Sequence, residues 1–152
     1  MNRVMLLSAA MVSLASSACA SYEEPAVGSI ANSGLAGTSW QLVSFTSMDD
    51  TQGVTYPRAD AWYRMDFLRD GELALVLDCN RGSANWSEGI ANATGGSIEI
   101  GEVASTRALC AQPDVGERMA RYLPDVASYR LANGNLFLAL REDGGVFEFK
   151  PN

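Results

Sequence analysis

Cys79 and Cys110 are the residues of this chain whose type and placing most directly suggest chemistry. Three readings of the pair compete. A redox or nucleophilic thiol would need a C-x-x-C spacing or an adjacent base, and neither is present. A metal site would need more ligands than two thiols, and the chain has no histidine to supply them. A structural disulfide needs only an oxidising compartment and an even cysteine count, and the pair is expected to form one. The missing histidine also removes Ser-His-Asp and Cys-His nucleophile pairs. The sole lysine, Lys150, stands two residues from the end, so a P-loop or a Ser-Lys dyad is not available in its usual form. No G-x-S-x-G elbow occurs. Catalytic, cofactor-binding and metal-ligating residues are therefore all read as none.

The remaining candidates are contact residues. Arg107 lies near Cys110, with Asp78, Glu99 and Glu102 as available acids. It reads either as an arginine that fixes a turn through backbone or carboxylate or as an anion-contacting residue at a pocket mouth. Trp40, Trp62 and Trp86 read as core or as the lining of a ligand cavity. Trp62 differs from the other two, because alternation sends it to the face of Arg64 and Asp66. It is the candidate for an exposed contact. The carboxylates at Asp49-Asp50, Asp60 and Glu142-Asp143 fall in turns, and no facing pair suited to glycoside hydrolysis is fixed by the pattern.

The elements that position these residues read mainly as strands. Trp40 and Leu42 share one face of a strand over 38–45. Ala61, Tyr63, Met65 and Phe67 alternate with Trp62, Arg64 and Asp66. Leu73, Leu75 and Leu77 alternate in the next strand, and continuing that period puts Cys79 on their inward face. Asp70-Gly71 and Asn133-Gly134 are strong hairpin turns. Asn80, Arg81 and Gly82 are expected to break the strand after Cys79, with a short strand over 83–87 and a small-residue loop over 89–96. Ile98 and Ile100 resume the pattern. One helix is expected near 114–123, capped by Asp114 with Glu117 three residues later and stopped by Pro124. Further strands follow, with Ala127, Tyr129 and Leu131 on one, then Leu136, Leu138 and Leu140, then residues 146–150. The fold class is mainly β (α+β): a single antiparallel sheet of seven or eight strands, barrel-like, with the helix against one opening.

Residues 1–20 read as a signal peptide, with Arg3 in the n-region and an apolar run over 4–14 too short to span a membrane. Two endings stay open. Ala18-Cys19-Ala20 is an A-x-A site that would release a soluble protein beginning at Ser21. Ser16-Ser17-Ala18-Cys19 is a loose lipobox, and lipidation of Cys19 is the favoured reading. Residues 21–36 read as a flexible tether and 37–151 as one domain. The chain has 152 residues, 47% of them hydrophobic and 19% charged, as expected of one globular domain. Removing a leader that carries Arg3 leaves ten basic against eighteen acidic residues, a net charge of −8. So acidic a protein repels nucleic acid, and no nucleic-acid partner is expected.

Several of these residues together resemble the META domain family, also called HslJ-like. They are Gly37-Thr38-Ser39-Trp40, Asp70-Gly71, Cys79-Asn80-Arg81-Gly82-Ser83, Trp86, Thr106-Arg107, Cys110, Leu138-Ala139-Leu140 and Asp143 through Phe149. The resemblance runs over about 35–151 in one order, which makes it more specific than any single motif. Many members carry Met where this chain has Ala108. The resemblance implies a small antiparallel β fold, exported and often lipid-anchored, with a link to envelope stress and no defined reaction. The functional expectation is a non-enzymatic, monomeric cell-envelope protein that binds an envelope protein, a cell-wall component or a small apolar ligand. It would be held at the membrane by its lipid if Cys19 is modified, or be soluble in the periplasm if not. The alternative is a carboxylate-dependent enzyme acting on cell-wall glycans.

The processing expectation is checked by the intact mass of the exported protein. A diacylglycerol-modified species beginning at Cys19 is expected; an unmodified chain beginning at Ser21 would show that the A-x-A site is used.

Overall fold

The computed structural model describes residues 34–49 and 52–152. The leader, Cys19 and residues 21–33 of the tether lie outside the described residues.

Ten strands and one short helix make up the domain. They are β1 (Thr38–Thr46), β2 (Val54–Thr55), β3 (Tyr63–Phe67), β4 (Glu72–Leu77), β5 (Asn80–Asn92), β6 (Gly95–Ile100), β7 (Ala104–Ser105), α1 (Gly116–Tyr122), β8 (Val126–Ala132), β9 (Asn135–Leu140) and β10 (Val146–Pro151). Eight of them close a barrel in the order β1-β3-β4-β5-β6-β8-β9-β10, and β10 returns to pair with β1 from Trp40↔Pro151 to Thr46↔Val146. Every pairing is antiparallel. β2 adds to the far half of β1, and β7 adds to the start of β5. The expected antiparallel barrel with a helix against one opening is the observed fold.

Alternation builds the interior. Met65, Phe67, Leu73, Leu136, Leu138, Phe147 and Phe149 are wholly buried, as period-two patterning requires when one face of each strand points to the axis. An eight-stranded barrel is only wide enough for side chains to fill. Aromatic contacts fill much of it: Phe67 meets Trp86 edge-on at 4.8 Å, and Phe45 meets Phe147 at 4.5 Å. Trp40 and Trp86 belong to this core. The Trp86 indole N–H donates to Glu72 O at 3.1 Å and to Leu68 O at 3.3 Å, which satisfies its one polar atom.

The two openings are closed differently. At one, α1 lays Val115, Met119 and Leu123 over the interior, and Pro124 begins the 3-10 turn Leu123–Asp125 that leads into β8. At the other, Leu35 is fully buried and the Gly37 amide donates to Phe67 O at 2.6 Å. Leu35 was assigned to the tether by its polar surroundings, but it is part of the core.

Other local expectations are corrected. The strand after Leu77 does not carry Cys79 inward. Asp78 takes a positive φ of 58° and forms a tight turn with Cys79, which is exposed. Asn80, Arg81 and Gly82 do not break a strand; they begin β5, the longest one, which continues to Asn92 with a bulge between Glu88 and Ala91. The expected small-residue loop over 89–96 is reduced to a turn at 93–94. The helix is shorter than expected, and Asp114 does not close a capping box. Its Oδ1 accepts instead from the Gly116 amide at 2.8 Å and from the Tyr63 hydroxyl at 3.2 Å. In β8 a bulge between Val126 and Ser128 turns Val126 inward in place of Ala127. No helix among the described residues is long and apolar enough to cross a membrane.

A carboxyl also takes an inward position on β5. β5 turns Ala84, Trp86 and then Glu88 toward the axis, and Glu88 comes beside Tyr129 of β8. The Glu88 carboxyl and the Tyr129 hydroxyl are buried neighbours, and each acts on the protonation of the other. Burial pushes the Glu88 carboxyl above its usual range, opposed by Tyr129. Burial, reinforced by the negative charge of Glu88, pushes the Tyr129 phenol up to about 12. A carboxyl with a raised folded-state pKa stabilises the fold fully below its unfolded pKa and loses that contribution as pH rises through the folded pKa. Glu88→Gln is therefore expected to raise the melting temperature by a few degrees at pH 7, with the gain vanishing below about pH 4. Thermal melts of both proteins across pH 3–8 check this (the assay range), and an unchanged or lowered Tm at pH 7 would show that Glu88 is not held in an unfavourable ionised state.

Candidate functional site

The residues from 101 to 115 cross the outside of the α1 end of the barrel, and one buried side chain holds them. Asn80 is 8% exposed. Its Oδ1 accepts from the Ala108 amide at 2.7 Å and from the Thr106 hydroxyl at 2.8 Å. Its Nδ2 donates to Ala108 O at 3.0 Å and toward Cys110 Sγ at 3.1 Å. Both ends of the carboxamide are thus satisfied, as burial demands. The Arg81 amide adds a bond to Thr106 Oγ1 at 3.0 Å, and the Thr106 amide donates to Arg81 O at 2.9 Å. Beside them, Cys79 and Cys110 form the expected disulfide, with Cα atoms 5.7 Å apart. Gly82 lets the crossing segment come close, because a Cβ there would sit 3.1 Å from Ala104 O and 3.3 Å from Val103 Cγ1.

A third tie comes from the loop before β3. Arg58 reaches Asp60 at 3.0 Å, Asp78 at 3.2 Å and the Ala111 carbonyl. The hydrogen bond that Arg58 donates to Asp60, set against partial desolvation, holds the Arg58 guanidinium above its usual range, and the same contact keeps the Asp60 carboxyl below its own. Asp60 is exposed while Arg58 and Asp78 are largely covered, and the cluster acts chiefly by placing the loop.

Between the crossing segment and α1 lies a groove of about 510 Å³. Its floor is Leu77 and Asn80, one wall is the segment 102–110, and the other wall is the helix face of Glu117, Ala120 and Arg121. Gly116 brings the helix onto the end of β4, since a Cβ there would lie 3.0 Å from Leu77 Cβ. The groove is lined by mixed polar and apolar groups, with Glu102, Asp114 and Glu117 as its carboxyls. Among the described residues no group of three or more His, Cys, Asp or Glu side chains could hold a metal.

Arg107 lines this groove and is exposed. The expectation that it would fix a turn by pairing with Asp78, Glu99 or Glu102 is corrected. Asp78 is taken by Arg58, and among the described residues no hydrogen bond or ion pair engages the Arg107 guanidinium. Arg121 on the opposite wall is paired with Glu117 at 2.9 Å. Trp62 is 45% exposed on the barrel's outer face, and its carbonyl accepts from the Asp78 amide at 2.8 Å. That contact puts it beside the disulfide turn but outside the groove. Tyr56 and Leu109, at 65% and 103% exposure, join it at this end of the molecule.

The sequence named the disulfide, Arg107 and Trp62, and the structure brings all of them to the α1 end of the barrel. It missed Asn80 and Arg58. Asn after Cys79 looked like turn chemistry, and only its spacing to the Thr-x-Ala of residues 106–108 hinted at a long-range partner. Arg58 carried no signal, because its partners lie 20 and 53 residues away.

Comparison with known proteins places this geometry among relatives. A family model described as META domain matches residues 33–152. A comparison with curated proteins found no match. Among solved structures, a protein from Burkholderia xenovorans determined by NMR is similar at a TM-score of 0.62 and 19% identity, over 78% of this chain and 83% of that one. A DUF4847 family protein from Bacteroides vulgatus is similar at a TM-score of 0.52 and 13% identity, over 78% of this chain and 94% of that one. At these identities the two structures share the fold.

Removing the buried Asn80 carboxamide breaks its partly buried bonds to the Ala108 amide and carbonyl and to the Thr106 hydroxyl. Asn80→Ala is expected to cost roughly 2–4 kcal/mol, and the pair Cys79→Ser with Cys110→Ser roughly 3–4 kcal/mol through the freed loop. Urea denaturation measures both; a cost near zero for Asn80→Ala would mean that the disulfide alone holds the segment.

Proposed function

Because the chain belongs to the META domain family, we propose that it is a non-enzymatic cell-envelope domain that acts by binding a partner through the groove beside the disulfide. The observation that carries this reading is the groove itself, with an unpaired Arg107 on its wall, in a chain that has no histidine for proton transfer near neutral pH. The barrel interior supports the same reading, since its aromatic and aliphatic side chains fill the space a small apolar ligand would need. A protein partner at the surface is accordingly favoured over an apolar ligand inside.

Export and anchoring belong to this proposal too. The chain enters the domain at Gly34 and Leu35, at the opening opposite α1. With Cys19 lipidated, the groove, Trp62 and Leu109 would face away from the bilayer, toward partners in the periplasm or cell wall. A structural disulfide exposed at its Cys79 end suits such an oxidising compartment. A role in tolerance of envelope stress follows the family resemblance.

Arg107→Ala is expected to weaken partner association about tenfold, the scale of one charge-assisted contact. Trp62→Ala is expected to weaken it in a smaller, graded way and to leave the melting temperature unchanged. Complementation of a deletion strain under envelope stress, together with thermal melts, reads both. A single carboxylate-to-amide change that abolishes function while the fold stays intact, with a product released from cell-wall glycan, would replace this reading by the enzyme.

A further inference from the structure

One wall of the groove is an extended segment whose hydrogen bonding alternates. In β7, Ala104 pairs with Ser83 and Ser105 with Gly82. The Thr106 amide then donates to Arg81 O at 2.9 Å. Two residues on, the Ala108 amide and carbonyl bond the two ends of the Asn80 carboxamide, which stands in for a neighbouring strand. In an antiparallel ladder alternate residues turn both peptide groups toward the partner, and those between turn them away. Residues 104, 106 and 108 face β5, so the peptide groups of Ser105, Arg107 and Leu109 are turned away from it. The backbones of Arg107 and Leu109 have no hydrogen-bond partner among the described residues. α1 forms the facing wall, and a helix offers no free amides along its side to pair with them.

A row of free donors and acceptors beside a groove is what an added strand uses, with main-chain bonds giving affinity and alternate side chains giving selectivity. Resting on the groove as the functional surface, we infer that it takes an extended peptide segment of a partner protein. The segment adds as a strand along residues 105–109 and sets a carboxylate against Arg107. Charge argues for the carboxylate: Arg58 and Arg121 nearby are each paired with an acid, while Arg107 is not. Leu109, fully exposed, gives the incoming strand an apolar contact. Charge also argues against a second copy of this edge. A symmetric antiparallel pair centred on Arg107 would place two guanidinium groups opposite each other, and like charges directly opposed are unfavourable.

The test uses the exported, disulfide-intact protein carrying Cys19→Ser, labelled for NMR, and a panel of capped heptapeptides with a central Glu and varied apolar flanks. Binding members of the panel are expected to slow amide exchange at Arg107 and Leu109 by roughly tenfold or more. N-methylation of alternate peptide amides on one edge should abolish binding, and on the other edge should not. Arg107→Glu should turn the preference from Glu-centred to Lys-centred peptides. If peptides shift the resonances of Ala120 and Gln112 but leave exchange at Arg107 and Leu109 unchanged, strand addition is wrong while the groove stands as a binding surface. If no member of the panel perturbs the groove, the peptide proposal fails, and the loss-of-function of Arg107→Ala in cells then decides separately whether the groove matters. Protection of the same amides that rises with protein concentration, without peptide, would make a second copy the occupant and overturn the proposal.

Discussion

The arrangement at the α1 end of this molecule depends on one buried carboxamide. Asn80 sits at the start of β5, and its four polar contacts hold a segment 26 to 30 residues further along the chain. A backbone strand could have done this, but β7 is only two residues long and ends before the segment reaches α1. The side chain extends the ladder past that end. Because the site is buried, each contact is worth more than its aqueous counterpart, and the loss of any one leaves a polar group without a partner. The disulfide acts differently. It limits how far Cys110 can stray in the unfolded chain and sets the segment's distance from Cys79, but gives no direction to the peptide groups between. Asn80 gives that direction.

Closure of the barrel sets the other constraint. With β10 returned to β1, the ring of eight strands has no open edge, and its interior is taken up by side chains. A closed, filled barrel has little to offer chemistry inside, and binding is left to what lies on its outside. The crossing segment and α1 lie outside the ring, and they form the groove between them. The same geometry separates the functions of the two openings. Leu35 seals the one where the chain enters, and α1 seals the one that carries the groove.

Glu88 shows a local rule overridden by a global one. Inside the barrel a carboxylate costs energy unless it is paired, and its neighbour Tyr129 offsets only part of the burial. The β5 bulge just beyond Glu88 turns the strand's later residues outward. Glu88 is the last residue turned inward before that change. The position is a cost accepted where a long strand must leave the ring, and it is not part of the groove lining.

The sequence by itself determined the strands, the turns and the cysteine pair, because each is written in neighbouring residues. Leu73-x-Leu75-x-Leu77 has one face to bury, Asp70-Gly71 and Asn133-Gly134 favour tight reversals, and Cys79 and Cys110, without a C-x-x-C spacing or histidine for other chemistry, pair with each other. Family resemblance added the order of elements, and the closed ring follows from both. What only the tertiary structure decided is non-local. Cys79 faces outward because a two-residue turn at Asp78 resets the alternation. Asn80 anchors instead of breaking, because its partners, Thr106 and Ala108, arrive from the other side of β6. Arg107 is free because Arg58, 20 residues before Asp78, claims that acid first. Periodicity records which face of a strand is buried, but not which distant side chain will meet a polar group there, since that is settled only when the ring closes.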